Sequence, residues 1–246
     1  LYFNMPELPE VTVIVNGLNM KLRGLQIESI DYDWARKFYW NGFSMKDLKG
    51  AKVLSVERRG KVVLINTDFK ITALIHLKLT GQLVYLDEKT RIAGGHPIPP
   101  LNLPVPNKTT RATFTFSNGG HLYFNDLRKF GWVKIVPSDD KQIASAIGEL
   151  GPDALEISLK EFTERLKKKP SATIKKLLMD QAFVSGIGNI YSDEGLWRAK
   201  IHPKRTVSSL SEAEVKALHK GMQDSFKLAI EKGGSSANSF VDSGGE

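Results

Sequence analysis

Met5-Pro6-Glu7-Leu8-Pro9-Glu10-Val11 brings a secondary amine, two carboxylates and a helix start into one short stretch. Once Met5 is removed, Pro6 becomes a terminal amine. A terminal amine has a pKa far below that of a lysine side chain, so part of it is unprotonated at neutral pH. Such an amine can attack an electrophilic carbon and form a Schiff base. Glu7 beside it can give or take a proton. The same residues also suit a helix start with no chemistry. Proline in the first turn and acids near the positive helix end stabilise a helix without further purpose. At the level of these residues both readings stand.

A second stretch with chemical potential is Gly186-Ile187-Gly188-Asn189. Glycines permit close backbone approach, and Asn189 suits a helix cap. N–H groups at such a helix start favour a phosphate, and the Asn189 side chain offers one more donor. An ordinary tight helix connection fits the same spacing. Arg165, Lys167, Lys168, Lys169, Lys175 and Lys176 add basic charge. Across the chain 35 Lys and Arg outnumber 27 Asp and Glu, giving +8, which points to a polyanion such as nucleic acid or to a lysine-rich solvated surface. The absence of cysteine excludes disulfides and thiolate metal sites in these residues. No run of apolar residues is long enough for a membrane span, and the start lacks the apolar core of a secretory signal.

The elements that must position these groups fall into two textures. Residues 1–4 are expected to be a tag remnant, with Met5 as the native start. Apolar residues at helical spacing predict a helix from Pro6 to about Arg23, stopped by Gly24. Short β-rich runs follow at 52–57, 61–66, 72–77, 82–86, 112–117, 121–125 and 132–136, which predict a β-sandwich or small barrel. The connection from 87 to 110 holds five prolines and is expected to carry little regular structure. Helices are expected at 141–150, 159–168, 172–181, 190–199 and 211–232, the last opened by a Ser211/Glu214 capping box. A cleft between the two halves is the natural ligand site. The division reads as a β-rich domain at 5–137, a linker at 138–150, a helical domain at 151–234 and a flexible end at 235–246.

Several blocks, taken in order, resemble the formamidopyrimidine-DNA glycosylase family. Met5 to Val11 resembles its N-terminus. Arg58-Arg59-Gly60-Lys61 resembles the segment carrying a functional lysine. His76-Leu77-Lys78-Leu79-Thr80-Gly81 resembles a His-Leu-Gly-Met-Ser-Gly strand, and Asp126-Leu127-Arg128-Lys129-Phe130-Gly131 an Asp-Pro-Arg-Arg-Phe-Gly turn. Glu149 to Asp153 stands where the linker belongs. Leu178 to Pro203, with Met179-Asp180-Gln181 and the glycine stretch, looks like the helix–two-turn–helix motif. The resemblance implies an α+β chain: an N-terminal helix with a two-sheet β-sandwich, then a helical domain. It implies a bacterial DNA repair enzyme, cytoplasmic and nucleoid-associated, acting as a monomer on duplex DNA that holds an oxidised base or abasic site.

On this resemblance Pro6 is the nucleophile, Glu7 the proton donor, Lys61 a contact to the phosphate near the scissile sugar, and Glu10 a support for the site. Arg128 and Phe130 would fill the gap left by a flipped base, with Leu79 as a third wedge where the family usually has methionine. His76, Lys129, Lys175 and Asn189 would contact DNA. No cofactor is implied for the chemistry in these residues. The family's four-cysteine zinc finger is absent from them, so zinc is expected only if a finger lies outside the chain, and residues 235–246 resemble the start of the loop that covers the flipped base. As written, Pro6 nitrogen is inside an amide and blocked. Two alternatives remain: a sibling of the endonuclease VIII type acting on oxidised pyrimidines, and a non-catalytic damaged-DNA-binding homologue. Leu8, Arg128 and Phe130 favour the purine type; Pro6, Glu7 and Lys61 together argue against decay.

Overall fold

The computed structural model describes residues 5–95 and 104–234. The tag remnant expected at 1–4, residues 96–103 of the proline-rich connection and the end expected to be flexible, 235–246, lie outside the described residues. Helix α1 (Leu8–Leu22) opens the fold, with Glu7 as its N-cap and Pro9 in its first turn. Pro6 therefore stands ahead of the helix. The stabilising role of a first-turn proline falls to Pro9, and the bland account of Pro6 loses its basis.

Among the described residues ten strands follow. They are β1 (Ile27–Tyr32), β2 (Phe38–Tyr39), β3 (Val53–Arg59), β4 (Val62–Thr67), β5 (Ile71–His76), β6 (Gly81–Leu86), β7 (Arg91–Gly95), β8 (Thr110–Phe116), β9 (His121–Asp126) and β10 (Trp132–Pro137). One sheet runs β1-β8-β9-β6-β7 and the other β2-β10-β5-β4-β3. Their facing sides share one core, from Ile27 and Phe114 on one sheet to Val63, Ile75 and Ile135 on the other. The two-sheet sandwich agrees with the expected fold class. A one-turn helix, α2 (Met45–Leu48), precedes β3.

β7 corrects one expectation, because it lies inside the connection expected to be irregular. Its Gly94 lets α1 approach: a Cβ there would sit 2.4 Å from Ile14 Cγ1. Gly94 serves close packing of a helix on a strand. β1 also went unread as a strand. Its inward residues, Ile27 and Ile30, are out of strict alternation because the pairing with β8 shifts register between Ile27 and Ser29.

The second half packs α3 (Asp140–Ile147), α4 (Leu159–Lys167), α5 (Ile174–Leu178), α6 (Asn189–Arg198) and α7 (Glu212–Glu231). Ile143 of α3 packs on the outer face of the second sheet with Val62, Leu64 and Leu74. The other four share a core built on Phe162, Leu178, Leu196, Leu218 and Phe226. Ser211 and Glu214 form the expected capping box on α7. α1 joins both cores. Leu8 packs with the helices, whereas Val11, Ile14, Val15, Leu18 and Leu22 pack in the sandwich.

Candidate functional site

A cavity of about 560 Å³ opens where the two halves meet. Glu7, just ahead of α1, lines it with Lys61 from the β3–β4 turn, His76 from the end of β5, Leu79 from the β5–β6 turn and Asn189 from the start of α6. Met5 lines it too, and Pro6, between Met5 and Glu7, is buried. Residues far apart in sequence thus meet at one place. Arg128, Lys129 and Phe130 stand outside the cavity on the β9–β10 loop, with Arg128 and Phe130 exposed. The Arg128 guanidinium lies 4.7 Å from the centre of the Phe130 ring. Lys129 lies over Trp34 at 4.2 Å.

Glu7 is held across the joint. Its carboxylate accepts the N–H of Gly188 at 2.6 Å, of Ile190 at 2.8 Å and of Tyr191 at 3.4 Å. Glu7 therefore caps α6, a helix of the other half. The cap residue by position is Gly188, and Asn189 is the first helical residue, which corrects the expected cap. It also takes most of this turn's N–H groups out of the phosphate reading. Gly188 and Ile190 give their N–H groups to Glu7, and Gly186 N–H goes to Gln181 Oε1 at 2.9 Å. The group that these N–H donors and the helix dipole face is the Glu7 carboxyl itself. The Asn189 side chain is exposed at the cavity edge.

Glu10 accepts Glu7 N–H at 3.0 Å and the Tyr191 hydroxyl at 2.6 Å. Burial, with Glu10 beside it, pushes the Tyr191 phenol well above its usual range, so it stays a donor. Burial also raises the Glu7 carboxyl, opposed by the Lys61 charge and by the α6 N–H groups. Burial lowers the Lys61 ammonium, opposed by Glu7 and Glu10. Lys61 has no hydrogen bond or ion pair among the described residues. Gly188 makes room for both groups, because a Cβ there would meet the Glu7 carboxylate at 2.5 Å and Lys61 Nζ at 2.8 Å. His76 is lowered to about 3, first by burial and then by Lys78 and Lys61, so it is a neutral imidazole. Its Nδ1 accepts Lys78 N–H at 3.1 Å.

One expected DNA contact, Lys175, and one residue of the basic run, Arg165, are otherwise engaged. Lys175 pairs with Asp193 at 2.7 Å and does not line the cavity. Arg165 donates Nε to Phe183 O at 2.8 Å and a terminal nitrogen to Ala182 O at 3.0 Å, tying α4 to the turn before α6. Sequence reasoning missed Lys78, Trp132 and Lys134, which line the cavity. The departure of Lys78 from a glycine in the resembled motif was the available signal. It also missed Asp126, whose carboxylate accepts from the Thr80 hydroxyl, from Arg128 N–H at 3.2 Å and from Gly131 N–H at 2.7 Å. Asp126 thereby fixes the β9–β10 loop to the β5–β6 turn. No group of three or more His, Cys, Asp or Glu among the described residues is arranged to hold a metal. Without cysteine the chain does not fit a four-cysteine zinc site. No described helix is long and apolar enough to cross a membrane.

A sandwich and a helical unit, joined through one N-terminal helix and sharing a cavity at the joint, define a two-domain scaffold whose site is assembled from both halves. Residues 5–133 match the family described as the formamidopyrimidine-DNA glycosylase N-terminal domain, and residues 150–241 match the formamidopyrimidine-DNA glycosylase H2TH domain. The chain is 36% identical over 245 residues to the formamidopyrimidine-DNA glycosylase of Pelotomaculum thermopropionicum, covering 98% of this chain and 84% of that one. It is 35% identical to the corresponding protein of Desulforamulus reducens, covering 98% and 83%. Among solved structures it superposes on Lactococcus lactis Fpg (MutM) in complex with DNA containing N7-benzyl-Fapy-dG. The TM-score is 0.82 at 31% identity, with 98% and 85% covered. MutM in complex with DNA containing carbocyclic 8-oxo-G gives a TM-score of 0.80 at 31% identity, with 95% and 82% covered. The chain belongs to the formamidopyrimidine-DNA glycosylase family, a family of DNA repair glycosylases.

Proposed function

We propose that this protein excises oxidised purines from duplex DNA, 8-oxoguanine and formamidopyrimidines among them, and then cleaves the strand. The observation that carries the reading is the joint cavity, which Glu7 and Lys61 line together, Lys61 without an ion pair among the described residues, and Pro6 is the buried residue just before Glu7. Solved relatives in complex with lesion-bearing DNA support the substrate class. With Met5 removed, the Pro6 amine attacks C1′ of the flipped nucleotide and the bond from C1′ to the base breaks, the base leaving with a proton. Glu7, its carboxyl biased toward the protonated form by burial, gives a proton to the ring oxygen as the sugar opens. The iminium so formed acidifies C2′, and loss of that proton expels the 3′ phosphate. A second elimination expels the 5′ phosphate. Lys61 holds the phosphate next to the scissile sugar, and Arg128, Phe130 and Leu79 fill the vacated stack.

Borohydride trapping on an 8-oxoguanine duplex tests the reading. A chain beginning at Pro6 is expected to be captured covalently, and the chain with residues 1–5 attached is not, because its proline nitrogen is an amide. Equal capture of both forms would refute Pro6 as nucleophile. Faster excision of an oxidised pyrimidine than of 8-oxoguanine would refute the purine preference.

A further inference from the structure

Lys78 occupies a place in the cavity that no step above uses. It lies in the turn between β5 and β6 with φ +53°, a left-handed conformation that side chains other than glycine rarely adopt. The motif that this turn resembles has glycine at the same position. Asn41, Lys70, Lys129 and Lys200 share a positive φ, so conformation alone singles out nothing. Lys78 differs from those four in lining the cavity. Its backbone is pinned on both sides: its N–H goes to His76 Nδ1, and Gly81 N–H goes to Leu77 O at 3.0 Å. Its ammonium, half-buried, has no hydrogen bond or ion pair among the described residues.

The surrounding charge is uneven. Lys61, Lys78 and Lys134 line the cavity against Glu7 and Glu149. Glu7 is spent on the N–H groups of α6, and Lys134 donates to Ala146 O at 2.5 Å. Among the described residues two ammonium groups without a partner, Lys61 and Lys78, are left facing one partly enclosed space. Cations crowded in this way call for an anion. Leu79, the residue after Lys78, carries the wedge side chain, so an anion at Lys78 lies beside the place where the strand would be parted.

We propose that Lys78 grips a phosphodiester of the damaged strand on the Leu79 side of the cavity and so fixes the strand's position beside the wedge. The inference rests on the reading of the cavity as the seat of a flipped nucleotide. The test is the salt dependence of binding to a duplex carrying a tetrahydrofuran abasic analogue, for wild type, Lys78→Gly and Lys78→Arg. Glycine relieves the positive φ, so thermal stability of Lys78→Gly is expected not to fall. Its affinity at low salt is expected to drop on the order of tenfold, and the slope of log affinity against log salt to shrink by about 0.9, with Lys78→Arg close to wild type. Wild-type slope and affinity in Lys78→Gly would overturn the inference, as would weaker binding with an unchanged slope. Failure of the wild-type chain to bind the duplex would overturn the proposed function and this inference with it.

Discussion

A Cβ at position 188 would lie 2.5 Å from the Glu7 carboxylate and 2.8 Å from Lys61 Nζ. The φ of Gly188 is −132°, outside the left-handed region, and the close neighbours are what hinder alanine there. Gly188→Ala is expected to spread Glu7 from Lys61 and to slow covalent trapping on the order of 100-fold, as displacements of about 1 Å do in active sites. Single-turnover trapping with the freed N-terminus checks this, and a wild-type rate would show that the two groups do not act together. His76 gives a pH prediction. Its folded pKa, about 3, lies below its ordinary 6.5, so between those values the unfolded chain binds a proton that the folded chain does not. Its contribution to stability is fully present above pH 6.5 and declines as pH falls toward 3. The His76 ring resonances are expected to hold still from pH 8 to 5; a midpoint near 6.5 would sink the claim. That Glu7, Lys61 and His76 belong together at one place was legible from motif resemblance, and all three line the cavity. The partner of Glu7 was not, because an N-cap drawn from a residue 181 to 184 positions away leaves no local signature.

The β9–β10 loop and the β5–β6 turn behave as one element because Asp126 is buried between them. The Thr80 hydroxyl, Arg128 N–H and Gly131 N–H all point at its carboxylate, and Arg111 Nε donates to its carbonyl at 2.9 Å. Asp126→Ala leaves the backbone carbonyl to Arg111 and Thr80 Oγ1 to Arg128 N–H, but it strands the Thr80 hydroxyl and Gly131 N–H, each worth about 1–3 kcal/mol when buried without a partner. A loss of about 3 kcal/mol is expected in urea unfolding, and with it a loss of order in the loop that presents Arg128 and Phe130. A stability change below about 0.5 kcal/mol, the size usual for an ordinary surface site, would remove Asp126 from that role. Sequence patterning served well where elements are regular: the seven β runs match strands to within two residues at either end. It failed where a neighbour decides the conformation. Arg91-Ile92-Ala93-Gly94-Gly95 is a strand because β6 pairs with it and Ile14 needs the space at Gly94. Helix 172–181 shortens to Ile174–Leu178 as the chain turns through Asp180 to reach the cavity.

At the scale of the whole molecule the cluster proposed to be catalytic and the joint between the halves are the same structure. Leu8 N–H donates to Gly186 O at 3.0 Å, Glu7 caps α6, and Glu10 receives the Tyr191 hydroxyl. Arg58 adds a fourth tie. Its Nε donates to Thr12 Oγ1 at 2.7 Å on α1, and its two terminal nitrogens grip both Asp153 oxygens, one at 3.0 Å, where the chain enters the helical half. The side chains are 10% and 20% exposed, so the pair is mostly shielded from water. Removing one member leaves the other charge uncompensated, whereas removing both leaves a neutral gap. Arg58→Met is therefore expected to cost about 3 kcal/mol, and the double change Arg58→Met with Asp153→Asn clearly less than the sum of the two single changes. Denaturant unfolding of the four proteins in this cycle measures the coupling directly. Additive losses would show that the pair is incidental to the joint. With coupling, the same variants should trap DNA more slowly than their residual stability accounts for, because a looser joint lets α6 move away from Glu7, and Glu7 would then lose the N–H groups that hold it beside Pro6.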